Sequence, residues 1–143
     1  YFEDMRILAS YQSSANLDNP PIHGRIDFHL RCPVIEKDGS ISKYEGYLVE
    51  LKTIKHDEFK KLGTPLANHY AQLQTYLNIQ NIKYGGVLYE DKDTQDKIIF
   101  SYNKNEEWWQ KTIERCQRIQ TMTASPVISK IHIRYCKCLQ VES

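Results

Sequence analysis

Two short stretches of this sequence carry charge where a strand would normally carry apolar side chains. In "HGRIDFHLR", residues 23–31, Gly24, Ile26, Phe28 and Leu30 alternate with His23, Arg25, Asp27, His29 and Arg31. The period of two predicts a strand with an apolar face and a polar face that bears Asp27. In "YLVELKTI", residues 47–54, Glu50 and Lys52 interrupt an otherwise buried-type segment. Alternation directs Tyr47, Val49, Leu51 and Thr53 one way and Leu48, Glu50 and Lys52 the other, so the carboxylate and the ammonium share a face. If the two strands pair, Asp27 can join them.

Two carboxylates and a backbone carbonyl form an oxygen-donor set suited to Mg²⁺ or Mn²⁺, which can hold a phosphate and a water together. A lysine beside them can polarise or deprotonate that water, or stabilise charge building on the phosphate. Such a strand would be buried on one side and line a site on the other. A lone Glu-x-Lys on a strand is also how an exposed same-face ion pair looks. The chemical reading rests on the conjunction of Asp27 with Glu50 and Lys52, on the elements that must position them.

Those elements can be read along the chain. Residues 1–19 are expected to form a helix and a turn-rich linker, "NLDNPP", ended by Pro20 and Pro21. The Asp27 strand follows, then an Asp-Gly turn in "EKDGS" that predicts a hairpin into the Glu50 strand. A polar loop, "HDEFKKLGTP", leads to a helix starting near Pro65, with Leu66, Tyr70, Leu73 and Leu77 on an apolar stripe and His69, Gln72 and Tyr76 on an adjoining one. "YGGVLYED" and "DKIIFSYN" predict two strands around an acidic turn. "EEWWQKTIERCQRIQTM" predicts a final helix with Trp109, Ile113, Cys116 and Ile119 on one side. The expected architecture is α/β, a small central mixed sheet flanked by helices.

Composition narrows the function class. A chain of 143 residues with 41% hydrophobic content is one domain with a real core. No apolar run approaches the roughly 20 residues of a bilayer span, and the charged "YFEDMRILAS" is unlike a signal peptide; no membrane partner is expected, and a cytoplasmic setting is. Charge is nearly balanced, 19 basic against 18 acidic side chains, yet Lys111 to Gln140 carries six basic residues and Glu114 alone, a net of +5. Such an end suits a polyanion, or is simply a solvated face. Lys55, Lys60 and Lys61 can grip a nucleic-acid backbone or solvate a loop. Trp108 is the better candidate to stack on unpaired bases, with Trp109 turned to the core. His69, one turn before Gln72, either approaches the site or makes a structural hydrogen bond at the helix interface. Cys32, Cys116, Cys136 and Cys138 read as free thiols, since Cys-x-Cys lacks zinc-site spacing.

"GRID" around Asp27, "VELK" ending in Glu50 and Lys52, and "QLQTY" with Gln72 and Tyr76 resemble, in order, the three motifs of PD-(D/E)xK nucleases. The resemblance is to the RecB-like branch, and within it to CRISPR-associated exonucleases and small viral and phage relatives; it covers residues 22–90. It implies a restriction-endonuclease-like core over 22–122, with 123–143 as a basic C-terminal extension, and a metal-dependent deoxyribonuclease acting on single-stranded DNA or DNA ends, in the host cytoplasm if viral. The other function it allows is a catalytically silent nucleic-acid-binding module or a subunit of a DNA-processing complex; homo-oligomer formation stays open. By resemblance Asp27, Glu50 and the Leu51 carbonyl would hold Mg²⁺ or Mn²⁺, Lys52 would be the catalytic lysine, and Gln72 and Tyr76 would position the DNA strand. Ile26 stands where the family often has proline. The family's upstream metal-binding histidine has no helical counterpart, leaving His23, on the Asp27 strand, as the candidate substitute. The cysteine positions do not follow the family's cluster pattern, so no iron–sulfur cluster is expected.

Overall fold

A computed structural model of the chain describes residues 8–122. They form a five-stranded sheet in the order β1-β2-β3-β4-β5, with helices packed against it. The strands are β1 (Leu8–Leu17), β2 (Ile22–Ile35), β3 (Ile41–Ile54), β4 (Tyr84–Asp91) and β5 (Lys97–Asn103). The helices are α1 (His56–Phe59), α2 (Ala67–Ile79) and α3 (Glu106–Gln120). All neighbouring strands are antiparallel except β3 and β4, which run parallel from Tyr47↔Tyr84 to Ile54↔Asp91. A parallel pair needs a crossover, and α2 supplies it. The expected α/β fold with a mixed sheet is the one observed.

The N-terminal helix expected within residues 1–19 is not found among the described residues of that range, 8–19. Residues 8–17 form β1, an edge strand paired with β2 from Leu8↔Arg31 to Leu17↔Ile22. Ala9, Tyr11, Ala15 and Leu17 alternate with Ser10, Gln12, Ser14 and Asn16, a weak period of two in a segment dominated by small polar residues. Pairing along a long, twisted partner strand decides such a segment, because local preference is slight. "NLDNPP" is accordingly the turn of a hairpin, with a cis Asn19–Pro20 bond, and not a linker. The Asp-Gly turn behaves as expected: Gly39 takes a φ of +82°, and the Gly39 N–H donates to the Glu36 carbonyl at 2.9 Å. The polar loop after β3 holds the short α1, and α2 begins two residues beyond Pro65.

The core lies between the sheet and α2. Ala15, Ile26, Leu48, Ile54, Leu73, Tyr76, Leu77, Val87 and Tyr89 make one cluster. Leu73 and Leu77 keep the place their spacing predicts, but Leu66 is 48% exposed and Tyr76, read as part of a polar stripe, is buried instead. Two glycines allow α2 this close. A Cβ on Gly85 would stand 2.8 Å from the Leu48 carbonyl oxygen and 2.9 Å from Leu73, and one on Gly24 would stand 2.4 Å from the Tyr76 ring. The α3 helix starts with Asn105, whose side chain accepts the Trp108 N–H, and carries no buried residue. Trp109 is therefore only half-buried, and Trp108 is packed, edge-on to Tyr70 with 6.2 Å between ring centroids. Both depart from the division into core and exposed tryptophans expected from helical spacing.

Candidate active site

The site is built where β2 and β3 separate. Their paired positions run up to Phe28↔Val49, so Asp27 and Glu50 are the next residues on each strand. There a side chain replaces the main-chain ladder: the Leu51 N–H donates to Oδ2 of Asp27 at 2.9 Å. The Asp27 carboxylate is thereby fixed beside the peptide that follows Glu50. Glu50 is fully buried, and neither of its carboxylate oxygens accepts a hydrogen bond among the described residues. Burial first, and the adjoining Asp27 carboxylate second, push its pKa up to about 7; the Lys52 ammonium pulls the other way.

Lys52 reaches the same point from the same face of β3. Its Nζ lies 3.5 Å from Glu50 Oε2 and donates to Gln72 Oε1 at 2.9 Å. The Gln72 amide in turn donates to the Tyr76 hydroxyl at 3.1 Å. The ring of Tyr76 lies over the space Gly24 leaves open. An ionic and hydrogen-bonded chain thus runs Glu50–Lys52–Gln72–Tyr76 from β3 to α2, and the adjoining β3 residue, Leu51, binds Asp27 of β2. The strand is not buried on one side only, as its alternation suggested, because Leu48, Val49 and Glu50 are all buried. The site sits at the end of the core and beneath the same helix that covers it.

His23 is not part of this chain. It is exposed near the β1–β2 turn, and its Nδ1 pairs with Asn16 Oδ1 at 3.3 Å across the hairpin. Among the described residues no three His, Cys, Asp or Glu side chains converge as a metal site. A cation here would rest on two carboxylates with main-chain or water oxygens. The donors fit one. A buried carboxylate with no hydrogen bond to either oxygen, crowded by a second carboxylate, is relieved by a divalent cation of oxygen preference. Cys32 and Cys116 are free and half-buried; Cys136 and Cys138, with the basic residues Lys130, Arg134 and Lys137, lie outside the described residues.

Two groups escaped sequence reasoning. Tyr89, fully buried in β4, accepts the Leu66 N–H at 3.0 Å and contacts His69 Nδ1 at 2.7 Å. His56, at the start of α1, meets buried Asp91 at 2.5 Å. Burial alone would raise the Asp91 pKa, but bonds from His56, Asp93 and Thr94 bring it to about 2. This pair pins the segment that leaves β3 to the end of β4. Neither contact has a signature in sequence, since both join residues 20 or more positions apart.

No protein-family model matches the sequence, and no curated protein matches it. Solved structures do resemble the fold. A crystal structure of LHK-Exo in complex with dAMP superposes with a TM-score of 0.61 at 13% identity, covering 84% of this chain and 58% of that one. A second structure, of the alkaline exonuclease LHK-Exo from Laribacter hongkongensis, gives 0.57 at 16% identity, covering 82% and 57%. The structure of SSO0001 gives 0.54 at 22%, covering 90% and 56%. The chain spans little more than half the length of each of these proteins. At such identities the likeness is one of fold: the five-stranded α/β core of this chain resembles that of the alkaline exonuclease structures.

Proposed function

We propose that this chain is a metal-dependent deoxyribonuclease that hydrolyses phosphodiester bonds in single-stranded DNA or at DNA ends. One observation carries the reading: a fully buried Glu50, neither oxygen hydrogen-bonded, beside Asp27 and 3.5 Å from a lysine held by a glutamine. A stability role does not account for it, because a buried ion pair whose carboxylate oxygens lack hydrogen bonds does not repay its desolvation. The fold shared with an alkaline exonuclease, and a neighbour that holds dAMP, point to a nucleic-acid substrate.

Asp27, Glu50 and the Leu51 carbonyl are the residues that would hold Mg²⁺ or Mn²⁺. Bound there, the ion would supply Lewis-acid polarisation of a phosphoryl oxygen and lower the pKa of a water. The protein's own part is positioning and charge. The Lys52 ammonium has three protons; one is given to Gln72 and one is directed toward Glu50. The third remains for a phosphate oxygen, where it offsets the charge that builds as the phosphorus–oxygen bond forms. Gln72 keeps the ammonium from swinging to solvent, and Tyr76 keeps Gln72 in that rotamer. The RecB-like role of Gln72 and Tyr76 as strand-positioning residues is kept in this reading, with the added task of orienting Lys52.

The test is incubation of the protein with labelled single-stranded and double-stranded DNA in Mn²⁺, Mg²⁺ or EDTA. Cleavage with either ion, its loss in EDTA, and its loss in Lys52→Ala with binding retained are expected. Wild-type protein that binds DNA and never cuts it would leave a silent binding module as the function. Cutting by Lys52→Ala at the parental rate would remove the lysine from the mechanism.

A further inference from the structure

His69 lies on α2 one turn before Gln72, the residue that holds Lys52. Its Nδ1 stands 2.7 Å from the Tyr89 hydroxyl, and the two rings are tilted at 5.6 Å between centroids. Tyr89 itself is fully buried and accepts the Leu66 N–H at 3.0 Å. Among the described residues its hydroxyl proton has no acceptor other than His69 Nδ1. A phenol has one proton to give, so the tyrosine donates to Nδ1 and the imidazole carries its own proton on Nε2. Burial, and then the Lys52 ammonium, both hold the His69 pKa below its ordinary value, which keeps the ring neutral.

We propose that His69 is a substrate-binding residue of this site, a neutral imidazole whose tautomer Tyr89 sets so that Nε2–H donates to a non-bridging phosphate oxygen of the DNA strand held by Lys52. The assignment rests on the nuclease reading and extends it. The ring is half-buried, with Nδ1 spent on Tyr89 and no partner at Nε2 among the described residues. A histidine used only to fasten α2 to β4 would need Nδ1 alone. Tyr89 is the register partner of Lys52 across β3 and β4, so the tyrosine that His69 contacts stands beside the residue that carries the ammonium. A buried tyrosine that accepts from the helix start and donates to the ring is a rigid support, and rigid support is what a single binding hydrogen bond requires.

Two substitutions separate binding from fastening. The amide of His69→Asn can replace Nδ1 toward Tyr89 but does not reach the Nε2 position; that of His69→Gln reaches the Nε2 position. Both proteins are first checked by thermal unfolding. Affinity for a labelled single-stranded DNA oligonucleotide is then measured by fluorescence anisotropy with Ca²⁺ in place of Mg²⁺, alongside cleavage in Mg²⁺. His69→Asn is expected to bind about tenfold more weakly at unchanged melting temperature, and His69→Gln to recover most of that loss. Parental affinity and cleavage in a folded His69→Asn would overturn the proposal while leaving the nuclease reading intact. The proposal falls equally if His69→Gln binds no better than His69→Asn. A wild-type protein that neither binds nor cuts the oligonucleotide would sink both.

Discussion

Glu50 is the residue at which protein stability and the proposed chemistry pull apart. Its ordinary pKa near 4.5 rises to about 7 in the fold, through burial and the nearby Asp27. Between those values the folded chain holds a proton that the unfolded chain has lost. Its contribution to stability is therefore full below about pH 4.5 and declines as pH rises through 7, by about 3 kcal/mol in all for metal-free protein. Glu50→Gln removes this loss. In urea unfolding with EDTA present, its stability relative to the parent should grow between pH 5 and pH 8 by roughly that amount; a constant difference would mean that Glu50 is solvated. Gln72 offers the complementary test, since its side chain is held by Lys52 and Tyr76. Gln72→Ala should lower the rate of DNA cleavage by about 10- to 100-fold with little change in melting temperature. Tyr76→Phe, which keeps the ring and loses one bond, should fall between that and the parent.

At the scale of elements, the site depends on how closely α2 lies on the sheet. Gly24 and Gly85 set that distance, one beneath Tyr76 and the other beneath Leu73 and Leu77. A methyl group at either position meets a ring, a main-chain carbonyl or a packed leucine, and neither position has flexible side-chain ends that could yield cheaply. Gly24→Ala should cost about 1–3 kcal/mol by overpacking, and because the group displaced is Tyr76, it should also slow DNA cleavage. Gly85→Ala should destabilise by a similar amount, and the two can be compared by chemical denaturation. If Gly24→Ala left both stability and cleavage untouched, the Tyr76 ring would not be in the position described. "GRID" reads naturally as a strand with glycine on its apolar face. The reason for glycine there is a side chain 52 residues later in the chain, which no local pattern displays.

For the whole molecule, near-neutral net charge conceals an uneven distribution. The basic residues Lys130, Arg134 and Lys137 fall in 123–143. If that segment contacts the DNA backbone, removing it should weaken binding and flatten the dependence of log K on log salt by roughly 2, about 0.7 per lost cation on single-stranded DNA. An unchanged slope would confine the electrostatic contacts to residues 1–122. No helix among the described residues is long and apolar enough to cross a membrane.

The sequence by itself determined the charged triad, the two strands that carry it and the helix with Gln72 and Tyr76. Period-two and helical spacing are local, and a charge that breaks an apolar run is visible in a single chain. It also determined the Asp-Gly hairpin between β2 and β3, because a left-handed glycine turn has a composition of its own. Only the tertiary structure decided that residues 8–17 are a strand, since their partner is a register along β2 and not a property of their own side chains. It alone decided that His23 turns to Asn16 while Tyr89 takes up His69. The opening of the β2–β3 ladder at Asp27, with Glu50 buried beside it, belongs to the same class. Burial and the meeting of distant side chains are sums over the packed molecule, and they shift a carboxylate from an ordinary surface charge to one that binds its proton near neutral pH.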